Sequence, residues 1–206
     1  MTQWRSSAAA IARHRLWVYR KPGRARALAL GRRDAYGVPT TFGVLAKRVG
    51  SNCRATWYRV QLPVRPNHST GWVRARDVRM YHVKERIVVD LSARRLFLYV
   101  RGRLVLRSRA AIGRPGATTP TGRFYVTERF IPADPYGPFG PRALGVSAHS
   151  DTLVSWRDGG PIGIHGTNEP FSVGEPVSHG CIRLPNPMIV RLFRRAWLGT
   201  PVVIRP

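Results

Sequence analysis

Two neighbouring runs, Ile162-Gly163-Ile164-His165-Gly166-Thr167 and Ser178-His179-Gly180-Cys181-Ile182-Arg183, gather one cysteine and two histidines in a short, glycine-flanked stretch. A thiol with a free pKa of about 8.5 is only slightly ionised at neutral pH, and a nearby imidazole raises the thiolate fraction. Gly180 lets the backbone turn sharply beside Cys181. That turn exposes the sulfur and aims backbone N–H groups at one point, where they hold the oxyanion of a tetrahedral intermediate. In an extended chain His179, two residues before Cys181, faces the same way as the sulfur. His165 approaches from the end of an adjacent strand. His165 is preferred as general base and His179 as a supporting group, although sequence alone does not order the two. A zinc site is the competing reading, with His165, His179 and Cys181 as ligands and Glu175 or water as the fourth. It ranks lower, because the usual paired-ligand spacings are absent and the glycines suit an exposed nucleophile. Cys53, His14, His68 and His82 take the ordinary reading of a small hydrophobe or a hydrogen-bonded ring. His149, in a polar turn, stays ambiguous.

Outward from this centre the chain reads as strands. Arg86–Leu91 is an apolar run of strand length, followed by Leu96–Val100, an Arg101-Gly102 turn and Leu104–Leu106. Residues 113–122 form a Gly/Pro/Thr loop, and Phe124-Tyr125-Val126 is the next strand. Residues 130–145, rich in proline and glycine, form a long irregular loop of the kind that tends to be functional. One helix is signalled, with Asn186 as cap, Pro187 in the first turn and an apolar stripe of Ile189, Leu192, Phe193, Ala196 and Trp197 ending at Gly199. Pro201–Ile204 closes the chain as a strand. Before Glu85 the pattern changes to short strands at Trp17–Tyr19, Gly43–Ala46, Thr56–Val60 and Gly71–Val73, punctuated by prolines. It suggests a small barrel whose core is filled by Trp17, Trp57 and Trp72. Residues 1–13 read as a flexible or weakly helical lead.

The 206 residues carry 35 Lys+Arg against 10 Asp+Glu, a formal charge of +25, and 32 of the basic residues are arginine. The excess is spread along the chain, and no zinc-finger spacing, RNP-like motif or Walker-type loop is present. A general attraction to polyanions is expected, anionic wall polymers included, rather than specific nucleic-acid reading. No stretch approaches roughly 20 apolar residues, and the opening residues are too polar for a secretory signal.

The Ile-His-Gly-Thr and Ser-His-Gly-Cys-Ile-Arg elements together resemble the signature of the L,D-transpeptidase (YkuD-like) catalytic domain. Val89-Asp90-Leu91-Ser92 with Leu96–Tyr99, Ile112-Gly113 with Thr119-Pro120-Thr121-Gly122, and Gly199-Thr200-Pro201-Val202 extend the likeness across residues 86–205. The first unit resembles bacterial SH3-like domains. The resemblance implies a mainly β protein: a 1–13 lead, an SH3-like barrel over 14–82, and a β-sandwich-like catalytic domain over 85–206 with one helix. It implies that Cys181 attacks the carbonyl of the third residue of a peptidoglycan stem peptide, a diamino acid, and releases D-alanine. The thioester then passes to an amine, giving a 3→3 cross-link, or to water, making the enzyme an L,D-carboxypeptidase. His165 matches the base. Gly166 falls where some members have Ser, leaving its carbonyl to orient the imidazole. Arg183 is placed to pair with a substrate carboxylate, and Gly180 and Ser178 belong to the substrate and oxyanion side. A monomer without metal or cofactor, acting in the cell envelope, is expected. A wall-binding protein with a degenerate catalytic domain is the non-enzymatic alternative. A Cys53–Cys181 disulfide is disfavoured, because the two lie in different domains and it would abolish activity.

Overall fold

The computed structural model describes residues 6–153 and 160–206. Its first sheet contains β1 (Ser7–Ala12), β2 (Leu16–Tyr19), β3 (Arg26–Leu30), β4 (Thr41–Val49), β5 (Ala55–Gln61), β6 (Thr70–Arg74) and β7 (Val78–Val83), in the spatial order β3-β2-β6-β5-β4-β1-β7. The structure departs from the sequence reading at two places. Ser7–Ala12 belongs to no lead: it is a strand paired antiparallel with both β4 and β7. The run of alanines has helix propensity, but Ala9 and Ala10 are completely buried, and the Cα of Gly199 comes so near Ala9 that no side chain fits there. Close approach of two surfaces overrides the local preference. The tryptophans, in turn, do not fill the core. Leu16, Val18, Phe42, Val60, Leu62 and Val73 do. Trp17 is 39% exposed and carries the Arg26 guanidinium on its ring, while Trp57 meets Tyr19 edge-on.

The second unit contains β8 (Glu85–Asp90), β9 (Arg95–Val100), β10 (Arg103–Arg109), β11 (Ile112–Gly113), β12 (Gly122–Phe130), β13 (Ala143–His149), β14 (Pro161–His165), β15 (Pro176–Ser178), β16 (Ile182–Arg183), helix α1 (Asn186–Phe193) and β17 (Pro201–Arg205). Eight of these strands make one sheet, ordered β10-β9-β8-β17-β12-β13-β14-β16. β12 is shared: Gly122–Tyr125 pair with β17, and beyond that β12 pairs with β13 across a register shift. The two halves face one core, to which Ile87, Leu98, Val126, Leu144, Ile164 and Ile182 contribute, and Ile189 and Leu192 of α1 close it. This is the β-sandwich-like arrangement expected. The loop anticipated over 130–145 is shorter, running from 131 to 142, because strands claim both of its ends.

The helix begins at Asn186 with Pro185 in the cap position, so Asn186 is not the cap. Trp197 also leaves the predicted apolar stripe. It is 58% exposed, with the Arg129 guanidinium 3.9 Å from its ring centroid.

The two units are docked by specific contacts. Gln61 Nε2 donates to Arg123 O (2.9 Å), Tyr81 Oη donates to Leu198 O (2.8 Å), and the His68 ring stacks on Phe124 with centroids 5.1 Å apart. The ambiguous His149 belongs to this seam. Its N–H donates to Asn67 Oδ1 (2.9 Å), and Asn67 Nδ2 donates to its carbonyl (2.8 Å).

Candidate active site

Cys181 sits on a turn between β15 and β16, and buried hydroxyls fix that turn. Ser178 Oγ donates to Cys181 O (2.6 Å) and accepts the Gly180 N–H (3.1 Å). Thr119 Oγ1 donates to Gly180 O (2.9 Å) and accepts the Gly113 N–H (2.9 Å). β11 pairs with β15, and Ala111 exchanges backbone bonds with Arg183, so segment 111–114 braces both sides of the turn. Gly180 has φ +116°, and a Cβ there would stand 2.8 Å from Ile162 Cδ1, so a side chain is excluded on both counts. Thr119→Val keeps the shape and deletes the hydroxyl, leaving two buried backbone groups unpaired. It is expected to cost about 2–4 kcal/mol and to slow turnover as the turn loosens. Denaturant melts and rates check this, with Thr119→Ser recovering both.

His165 ends β14, which runs parallel to β16 with Ile164 opposite Ile182. Gly163, two residues earlier on the same face, brings the reacting groups together. Its N–H donates to Cys181 Sγ (3.4 Å). A Cβ at Gly163 would lie 3.6 Å from His165 Cδ2 and 4.0 Å from that sulfur. On the far side His165 Nδ1 bonds Gly166 O at 2.6 Å. A carbonyl only accepts, so the proton is on Nδ1 and Nε2 is left as the basic nitrogen. Gly166 has no room for a side chain, because Asn186 Oδ1 and Gly140 crowd its Cα. Asn186 itself accepts the Thr167 N–H (2.9 Å) and ties the His165 loop to α1. Phe139, from the 131–142 loop, packs edge-on against the imidazole with centroids 5.0 Å apart.

Burial sets the charge state of both groups. It pulls the His165 imidazole down to about 4, opposed by the Gly166 carbonyl and reinforced by the nearby Arg183 charge. It pushes the Cys181 thiol up, opposed by the Gly163 N–H and by Arg183. The resting pair is therefore a neutral thiol beside a neutral imidazole, a different state from the enlarged thiolate fraction expected from the sequence.

A family model described as the L,D-transpeptidase catalytic domain, YkuD, matches residues 84–204. The chain belongs to this family. It is similar to the Bacillus licheniformis protein named L,D-transpeptidase YkuD, with 40% identity over 121 residues, covering 59% of this chain and 66% of that protein. The Bacillus subtilis protein of the same name is 36% identical over 124 residues, covering 60% of this chain and 68% of that protein. The Escherichia coli K12 protein named L,D-transpeptidase YbiS is 33% identical over 135 residues, covering 58% and 44%. The chain thus spans about two thirds of the Bacillus relatives and less than half of the E. coli one.

Within this L,D-transpeptidase domain Cys181, His165, Gly166 and the Ser178–Gly180 turn come together, but several predicted details differ. His179 is exposed, its Nε2 accepting from Arg114 Nη2 at 3.0 Å. The positive φ of Gly180 breaks the extended alternation that placed His179 beside the sulfur. The Gly180 N–H is already bonded to Ser178, so it holds the turn and is not presented to a substrate. Arg183 forms an ion pair with Glu169, on the loop after His165. Glu175 pairs with Arg94 (3.1 Å), and no group of three His, Cys, Asp or Glu suited to a metal is found among the described residues. Both cysteines are free, and Cys53 lies on an exposed turn of the first unit. Sequence reasoning gave no site role to Gly163, Phe139 or the Thr119 hydroxyl, and took Asn186 for a helix cap only. Only Thr119 carried a signal, through its Thr-Pro-x-Gly segment.

Proposed function

We propose that the chain is a peptidoglycan L,D-transpeptidase with Cys181 as nucleophile and His165 as general base. One observation carries the reading: the sulfur and the imidazole edge flank the same empty position at Gly163, with the Gly166 carbonyl fixing the tautomer. As Sγ attacks the carbonyl of the third stem residue, Nε2 accepts the thiol proton, so no ion pair is needed beforehand. The Cys181 N–H is the donor nearest the developing oxyanion, since the Gly180 N–H is spent on Ser178. Imidazolium returns the proton to the departing nitrogen, and D-alanine leaves with a thioester on Cys181. The side-chain amine of a second stem then displaces the thiol, giving a 3→3 cross-link. With water in its place the product is a trimmed stem, the L,D-carboxypeptidase outcome. Arg183, which lowers the pKa of both groups, is placed to meet a substrate carboxylate once Glu169 yields it.

The first unit reads as an SH3-like module that positions the domain on the wall, supported by its short antiparallel strands, separate core and basic excess. A location in the cell envelope follows from the substrate. Incubation with a stem tetrapeptide is expected to release D-alanine and yield 3→3 dimers that mass spectrometry identifies. No release and no acylated protein would overturn the reading.

A further inference from the structure

The 131–142 loop ends in an arm that lies along the segment carrying His165. Arg142 O accepts the Gly166 N–H (3.2 Å), and Ala143 at the start of β13 pairs with His165. Gly140, at φ +61°, seats so closely that a Cβ there would stand 2.7 Å from Gly166 Cα, 2.8 Å from Thr167 N and 2.5 Å from Asn186 Oδ1. The reverse holds at Gly166, whose Cβ position lies 3.1 Å from Gly140 Cα. Two bare backbones meet at this joint, and close packing leaves the arm little room to slide. Beside the joint, Phe139 sets its ring edge-on to the imidazole, with an interplanar angle of 68° and centroids 5.0 Å apart. Phe130, at the end of β12, packs edge-on against Phe139 in turn (6.4 Å). Phe139 stays 46% exposed, while the His165 it touches is only 5% exposed. The ring gains limited burial for itself, and its contact takes water away from the imidazole.

We propose that Phe139 is a positioning residue for the general base: seated by the Gly140–Gly166 contact, its ring holds the His165 imidazole in the orientation that serves Cys181 and keeps water off it. This rests on the transpeptidase reading above. The Gly166 carbonyl fixes Nδ1 but leaves the ring free to swing about that one hydrogen bond. The Phe139 contact removes that freedom, so two supports together define the imidazole plane. Burial is the largest cause of the depressed His165 titration, and Phe139 supplies part of it without bringing a charge. The charged and titratable groups on the neighbouring elements are Cys181 on its turn, Arg183 of β16 with its partner Glu169, and Arg142 and Asp134 of the loop. Arg142 donates to Pro141 O and Asp134 accepts the Tyr136 N–H, both within the loop. α1 contributes the neutral Asn186, and His149 stands at the opposite end of the β13–β14 ladder, against Pro161. Removing the Phe139 ring deletes none of these groups, so a moved titration reports the ring.

The test follows D-alanine release from a stem tetrapeptide across pH in the wild-type protein, Phe139→Ala, Phe139→Leu and Phe130→Ala. In Phe139→Ala the acid limb of kcat/KM should move up from near 4 toward the ordinary histidine value of 6.5, and kcat on the plateau should fall roughly 10-fold with KM nearly unchanged. A more basic imidazole would by itself speed proton removal, so the fall in kcat reads lost orientation. Phe139→Leu, which restores an apolar cover, should recover most of both. Phe130→Ala keeps the ring and removes its support, and should move both in the same direction by less. That variant decides the matter where Phe139→Ala folds poorly, an unmoved limb and kcat overturning the proposal. A rise in KM with the limb still near 4 overturns it as well, making Phe139 a substrate contact. So does a lower melting temperature with limb and kcat unchanged, the result of a purely structural role. In each of these cases the wild-type protein still releases D-alanine and the transpeptidase reading stands. Absence of release from the wild-type protein removes the reading and the proposal together.

Discussion

Cys181→Ala is expected to abolish D-alanine release, lowering turnover by roughly 10⁴-fold or more, the scale seen when a covalent nucleophile is removed. The loss belongs to chemistry rather than folding. The sulfur is half-buried at a turn whose bracing runs through the backbone atoms of Cys181 and Gly180 and the hydroxyls of Ser178 and Thr119. Alanine keeps every one of those bonds and loses only the weak Gly163 N–H contact to sulfur. Stability should change by no more than about 1 kcal/mol. Cys181→Ser separates packing from nucleophilicity. The hydroxyl fits the same space and accepts the same N–H, yet it ionises far less readily, so the variant should fold and remain close to inactive. Rates and thermal melts on the three proteins check both statements.

His165→Gln is expected to lower kcat by roughly 10²- to 10⁴-fold, the range for a lost general base. Glutamine can still donate to the Gly166 carbonyl, so the loop geometry is kept while the proton acceptor is gone. The same variant carries a stability signature. The folded-state pKa of His165, about 4, lies below the ordinary histidine value of 6.5. Between those values the unfolded chain binds a proton that the folded chain refuses. This contribution is fully present above pH 6.5 and is lost as pH falls toward 4, by about 3 kcal/mol in all. His149, also held down by burial, adds a smaller slope of the same sign. In His165→Gln the loss of stability between pH 7 and pH 4 should shrink by about 3 kcal/mol, as read by denaturant unfolding at each pH. For the wild-type enzyme, the acid limb of kcat/KM should lie near 4 instead of near 6.5. A limb at the ordinary histidine value would contradict the buried neutral pair.

Much of the site is legible in the sequence because its chemistry is local. A cysteine after a glycine, with histidine and serine just before it, specifies a tight turn whatever surrounds it. The apolar run from Arg86 and the Arg101-Gly102 turn signal announce the first hairpin of the second unit in the same way. What escaped depends on distant partners. The alanines of Ser7–Ala12 read as a flexible or weakly helical lead until β4 and β7 pair with them and the turn at Gly199 packs on Ala9. β13 carries Gly145 and Ser147 among its apolar residues and follows a proline-rich loop, so no alternation announces it. The contact of His179 hangs on Arg114 from a distant segment, and the engagement of Arg183 hangs on Glu169 from a separate loop. The protonation states of Cys181 and His165 are set by burial, which no neighbouring residue in the chain encodes.

The most direct measurement is mass spectrometry of the intact protein, then of its peptides, after exposure to a carbapenem, a mimic of the stem peptide. One drug mass should appear on the peptide containing Cys181, with Cys53 unmodified and no adduct on Cys181→Ala. An adduct on Cys53, or an unmodified protein that still releases D-alanine from a stem tetrapeptide, would contradict Cys181 as the nucleophile.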